Sequence, residues 1–291
     1  MTPLREKMVA ALRHRNLART TRKSYIERVV TYARHFGRSP TELGNAEVSS
    51  FLLHLAELGR AAATRAVYHA ALRFLYVETL ERPEVMAGIP RPRVSSPEPR
   101  RPLTREEVEA LLESARSDPF TYTVVATLLA TGLRVSEARL LRTDDIDSRS
   151  GMVHVRNGKG GKPRSVKLGA RHLWLLRRYW EVEGLEGQWL FPAQRLVAPG
   201  KVDPERRWAP RPVSSDTVRS RLHVLTRRAK LQRQVKPHDL RRTYATWLLE
   251  AGVDLRTVQV LLGHASPNTT TRYTRVRPEL IRHTPSPLDM L

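Results

Sequence analysis

The sequence predicts a mainly α-helical chain in two parts, α+β in class because the second part carries one small β-hairpin. Three observations lead there. Apolar residues recur at helical spacing along most of the 291 residues. A run rich in proline and arginine, RPRVSSPEPRRP, interrupts them at residues 91–102. One stretch, GMVHVRNGKGGKPRSVKLG, changes from helical spacing to alternation around a glycine-rich turn.

The first part, residues 1–90, reads as a small helical bundle. It opens with the helical run LREKMVAALRHR. In TTRKSYIERVVTYARHFG, residues Tyr25, Val29, Tyr32, Ala33 and Phe36 share one helix face, with Thr20 or Thr21 as the expected N-cap. AEVSSFLLHLAELG repeats the pattern through Val48, Phe51, Leu52 and Leu55, and AATRAVYHAALRFLYVETL through Val67, Ala71, Phe74 and Leu75. That gives four or five short helices. Residues 91–102 hold four prolines, which fix φ and push the preceding residues toward extended backbone, so they predict a linker.

The second part, residues 103–291, begins with LTREEVEALLES, where Thr104 and Glu107 have capping-box spacing. A long apolar helix follows up to Gly132. Its uncharged core, residues 120–133, falls short of the about 20 residues that span a bilayer, so it predicts a buried helix. The hairpin comes next: Met152, His154 and Arg156 alternate with Val153 and Val155, and Val166 and Leu168 lie beyond the turn. Residues 192–212 contain five prolines and predict a loop; the remainder reads as helical.

Charge narrows the partner. Lys and Arg total 51 against 29 Asp and Glu, a net charge of +22, which implies a polyanion. Residues 1–102 hold 18 basic and 9 acidic residues, and the rest 33 and 20, so both parts are basic. Two basic domains on a linker can close around a duplex as a clamp. A membrane-surface protein more often concentrates its charge on one amphipathic helix, and none is visible, so double-stranded DNA is the expected partner and no membrane. The absence of cysteine excludes disulfides, zinc fingers and thiol nucleophiles. With no apolar leader in MTPLREKMVAALRHRN, the expected setting is the cytoplasm, at the nucleoid.

Six residues could share one task. Arg134 stands just past a glycine in TGLRVSEARLL, and taken alone predicts a salt bridge to Glu137. Lys159 sits in the hairpin turn, and alone predicts a solvated lysine. His238 and Arg241 lie three apart on one face of a helix starting near Pro237. His264 follows Gly263, and Tyr273 stands between Arg272 and Thr274 in LLGHASPNTTTRYTRV. Together they suit metal-free phosphodiester cleavage, which needs a nucleophile, a clamp on the non-bridging oxygens and an acid for the leaving oxygen. Arg134 and Arg241 can clamp a phosphate bidentately. Tyr273 can attack phosphorus. Its ordinary pKa is about 10, so neighbouring cations or a histidine must help it ionise. His238 and His264 can bond phosphate oxygens or move protons, and Lys159 can reach the leaving 5′ oxygen.

At these residues the chain resembles a known family. TGLRVSE, NGKGGK, HDLRRTYAT and LLGHASPNTTTRYT resemble, in order and spacing, the motifs of the tyrosine recombinase (phage-integrase) family. The resemblance implies an N-terminal SAM-like helical domain, a tyrosine-recombinase catalytic domain, and the catalytic set Arg134, Lys159, His238, Arg241, His264 and Tyr273. Tyr273 would be the nucleophile, forming a 3′-phosphotyrosine, and Glu137 would support the first arginine. It implies a site-specific recombinase or integrase that needs no metal, cofactor or ATP. It also implies a homotetramer on two DNA sites, with the tail, residues 276–291, docking on a neighbouring protomer; docking on its own domain is the competing expectation, and accessory DNA-bending proteins are candidate further partners.

Three alternatives differ in class or mechanism. A type IB topoisomerase shares much of this set, but the two-domain plan and the LLGH…RYT spacing favour the recombinase. A catalytically inactive DNA-binding regulator would have lost a motif position, and all six are present. A metal-dependent transposase could use the acidic run TDDID at residues 143–147, although one acidic turn before a hairpin is more often a cap or a solvated loop.

Overall fold

The computed structural model describes residues 2–94, 101–156, 158, 162–194, 196–198, 201–202, 207–263, 282 and 284–290. The chain splits into two compact units, Met1–Pro99 and Arg100–Leu291, a boundary inside the proline-rich stretch.

The first unit holds helices α1 (Pro3–His14), α2 (Arg19–Phe36), α3 (Asn45–Glu57) and α4 (Ala62–Arg73). Their apolar faces meet in a core of Met8, Leu12, Tyr32, Phe51, Leu72 and Leu75. Two details differ from the sequence reading. α2 starts before Thr20 and has no side-chain cap, because Leu17 packs on the core and commits the chain to the helix earlier. The helical run after α4 widens into a π-helix over Phe74–Thr79. That turn places the Tyr76 hydroxyl 3.1 Å from that of Tyr32 and lets it donate to the Pro40 carbonyl at 3.0 Å. Two buried hydroxyls thereby satisfy one another, where unpaired they would be costly.

The second unit is built around α6 (Pro119–Thr131), which is buried on nearly every residue, as its apolar sequence requires. Around it pack α5 (Arg105–Glu113), α8 (Ala170–Glu183), α9 (Ser215–Arg228) and α10 (Pro237–Glu250), with α7 (Val135–Ala138) and α11 (Leu255–Leu262) beside them. The capping box opens α5: Thr104 Oγ1 accepts from the Glu107 amide and Glu107 returns the bond.

The hairpin strands are β2 (Met152–Val155) and β3 (Arg164–Lys167), with β1 (Ile146–Asp147) added at the β2 edge. Val153 pairs with Val166 and Val155 with Arg164, so Arg164 shares the buried valine face. The acidic run before it is a cap: buried Asp145 accepts from the Arg142 amide at 2.8 Å and from Arg156.

Residues 192–212, expected to be a loop, contain paired strands. β4 (Pro192–Gln194) pairs antiparallel with β7 (Trp208–Pro212), and between them run β5 (Leu196–Ala198) and β6 (Lys201–Val202). Proline is compatible with this sheet because among the described residues it has two strands, each with an open edge, and because Pro210 falls where the register shifts.

The described end of the tail docks on its own unit. Leu288 is buried in that unit's core, and Arg171 Nη1 donates to its carbonyl at 3.3 Å. Asp289 crosses Gly169 so closely that a Cβ there would lie 2.2 Å from its carboxylate. Among the described residues no helix is long and apolar enough to cross a membrane.

Candidate active site

The site grows from the ends of three helices. α6 stops at Gly132, whose φ of 60° is left-handed and favours glycine. A side chain is doubly unsuitable there, since a Cβ would meet the Tyr244 ring at 2.3 Å. Leu133 is buried, and Arg134 then takes extended backbone and caps α7. α11 likewise ends at Leu262, with Gly263 left-handed at φ 61°. Helix ends leave carbonyls without intrahelical partners and carry negative partial charge. Arginines occupy both ends. Arg241, on the second turn of α10, donates from Nη1 to the Gly132 carbonyl at 2.8 Å and from Nη2 to the Leu262 carbonyl at 2.5 Å. Its side chain is 3% exposed.

Glu137 is the centre of the cluster. Its side chain is also 3% exposed. Oε1 accepts from Arg134 Nη1 at 2.8 Å and Arg164 Nη1 at 3.0 Å. Oε2 accepts from the Arg134 amide and from Arg164 Nη2, both at 2.8 Å. Arg241 Nη1 stands 4.0 Å away. Burial pushes the Glu137 carboxyl up, but the Arg164 fork and the Arg134 bonds outweigh it and hold it below the ordinary carboxylate value. Burial, then the charge of Arg134, lowers the Arg241 guanidinium to about 10, still cationic at neutral pH. Among the described residues three cations thus surround one anion, a surplus of positive charge suited to a phosphate.

His238 stands exposed on the first turn of α10, whose start is capped by Asp239 accepting from the Lys236 amide at 2.8 Å. Partial desolvation, then the charges of Arg241, Arg242 and Arg134, keep its ring below the ordinary value of 6.5, so it is neutral at pH 7. Arg242, the next residue along α10, is half-buried.

The structure therefore brings Arg134, Glu137 and Arg241 together, with His238 one turn away on the helix that carries Arg241. Lys159, His264 and Tyr273 lie outside the described residues. Their neighbours do not: Gly158 and Gly263 precede Lys159 and His264, and both approach Arg164. Arg164 is the residue the sequence reading missed. The signal was available, because strand alternation puts an arginine on the face of Val153, Val155 and Val166, and a buried arginine needs a partner.

Residues 101–279 match the phage integrase family, and residues 4–84 match its N-terminal SAM-like domain. Protein y4qK of Sinorhizobium fredii, provisionally named an integrase/recombinase, is 36% identical over all of this chain and 90% of its own length. Tyrosine recombinase XerD of Yersinia pestis is 32% identical over 96% of this chain and 95% of its own. Among solved structures, a lambda integrase tetramer bound to a Holliday junction superposes with a TM-score of 0.68 and 22% identity, over 92% of this chain and 75% of that one. The chain belongs to the phage integrase family and is a tyrosine site-specific recombinase.

Proposed function

We propose that this tyrosine recombinase cuts and rejoins DNA through a covalent 3′-phosphotyrosine at Tyr273, without metal or ATP. The observation that carries the reading is the arginine cluster: Arg134 and Arg241 flank Glu137, with more positive charge than the single carboxylate neutralises. In this scheme the two guanidinia hold the non-bridging oxygens of the scissile phosphate and stabilise the charge that builds on them. The Tyr273 oxygen attacks phosphorus and the bond to the 5′ oxygen breaks. The phenolic proton passes to His238 or His264, and Lys159 protonates the leaving oxygen. The free 5′ hydroxyl of a second strand then attacks the phosphotyrosine and releases the tyrosine. Bond energy is kept in the ester throughout, which is why no ATP is consumed.

The two basic units, divided within residues 91–102, would enclose the duplex. Two sites held together require several protomers, and a homotetramer is the assembly proposed. Its place of action is wherever the target DNA lies, the cytoplasmic nucleoid.

The test uses the full chain and a library of randomised duplexes nicked a few nucleotides beyond the cleavage point, so that the released 5′-hydroxyl fragment diffuses away. In the presence of EDTA the wild-type chain is expected to capture a subset covalently. Tyr273→Phe should bind the same subset and capture none. A covalent adduct formed by the Phe variant would sink the assignment.

A further inference from the structure

We infer that Arg164 is a positioning residue for the phosphate clamp: it saturates Glu137, so that Arg134 and Arg241 keep their charge for the scissile phosphate. The inference rests on the clamp reading above.

Counting acceptor sites carries the point. A carboxylate offers about four lone-pair sites. Among the described residues Glu137 has four bonds, two from Arg134 and two from Arg164. Arg241 Nη1, at 4.0 Å, is left to the Gly132 carbonyl. Without Arg164, two acceptor sites on a buried anion would open beside Arg241 and beside the free edge of Arg134. Both guanidinia would turn toward them, because an unpaired buried carboxylate is costly. The clamp would then spend its donors on its own glutamate.

Arg164 is itself no third clamp. Its Nε donates to the Leu261 carbonyl at 2.8 Å and both Nη atoms bind Glu137. Its side chain is 8% exposed. It also runs between two glycines. A Cβ at Gly263 would lie 3.1 Å from Arg164 Cδ, and one at Gly158 would lie 3.2 Å from its Nη1 and 2.4 Å from the Lys162 carbonyl oxygen. One side chain therefore joins the hairpin, the end of α11 and the carboxylate.

A double-mutant cycle separates this role from simple bracing. Binding of inorganic phosphate is followed by its 31P shift, with the Arg241→Ala chain subtracted for binding elsewhere on a basic surface. Arg164→Met is expected to weaken the remaining binding by about tenfold, the scale of a hydrogen bond to a charged group. Adding Glu137→Gln to that chain should restore it to within about threefold of wild type, because the competing anion is gone. A double variant as weak as Arg164→Met would show that Arg164 only braces the hairpin, and would overturn the inference. So would an unchanged Arg164→Met. If Arg164→Met does not melt cooperatively, Arg164→Lys carries the test: it keeps the charge and loses the fork, so a smaller loss, again relieved by Glu137→Gln, is expected, and an unrelieved loss overturns the inference. Wild-type protein that binds no more phosphate than Arg241→Ala would instead refute the clamp itself.

Discussion

Glu137 and Glu183 are the same residue in the same unit, with side chains 3% and 2% exposed, yet their surroundings drive them in opposite directions. Glu137 receives four aligned hydrogen bonds from two arginines, and its carboxyl is held below its ordinary value. Glu183, at the end of α8, has one ion-pair partner among the described residues. Arg207 Nη1 lies 2.9 Å from its Oε2, off the line of a hydrogen bond, on a half-exposed side chain that also covers the Trp208 ring. There burial wins, and the carboxyl is raised. Burial alone therefore does not say whether an acid stays charged; the number and alignment of its donors decide. Glu137 is built as a permanent anion that organises cations. Glu183 sits beside the strands of residues 192–212 and organises none.

The largest way to break this comparison is to remove each carboxylate. Glu137→Leu leaves three arginines without their shared anion and is expected to cost the second unit about 3–5 kcal/mol, the usual penalty for orphaning buried charge. Glu183→Gln should change stability by less than about 1 kcal/mol, since the charged form is disfavoured there already. Urea unfolding of the full chain measures both, and equal losses would erase the distinction.

A smaller effect tests the same contrast by pH. A carboxyl depressed in the folded state stabilises above its unfolded value of 4.5 and loses that contribution as pH falls. Glu137 behaves so. A raised carboxyl stabilises below 4.5 and loses its contribution as pH rises through the folded value, which is the case of Glu183. The stability of Glu183→Gln relative to wild type should therefore increase between pH 4.5 and pH 7. A difference independent of pH would place Glu183 in an environment no harsher than water.

Much of this was legible in the sequence because it depends on short-range rules. Helical spacing located the helices of the first unit's core, and the Thr104–Glu107 box marked the start of α5, whereas α8, α9 and α11 were read only as part of a helical remainder. The glycine of TGLR marked the end of α6, and the Arg134–Glu137 pair, three residues apart, is in place. What escaped depends on distant partners. The strands in residues 192–212 were hidden by prolines that an edge tolerates. The resting place of Leu288 depends on a groove formed more than a hundred residues earlier, near Arg171. Arg164 meets Glu137 across 27 residues and Leu261 across 97, so no local motif announces it. Only its place on a buried strand face could have.

The central claim is that the cluster around Glu137 is the floor of a reaction centre that ends as a phosphotyrosine at Tyr273. The most direct measurement is to trap the covalent complex of the wild-type chain with nicked DNA in EDTA, digest protein and DNA, and locate the nucleotide-bearing residue by mass spectrometry. The expected result is a nucleotide 3′-phosphate esterified to Tyr273, in a yield that falls by about 10²–10³-fold in Arg241→Ala. An adduct on any other side chain, or one whose yield is untouched by Arg241→Ala, would contradict it.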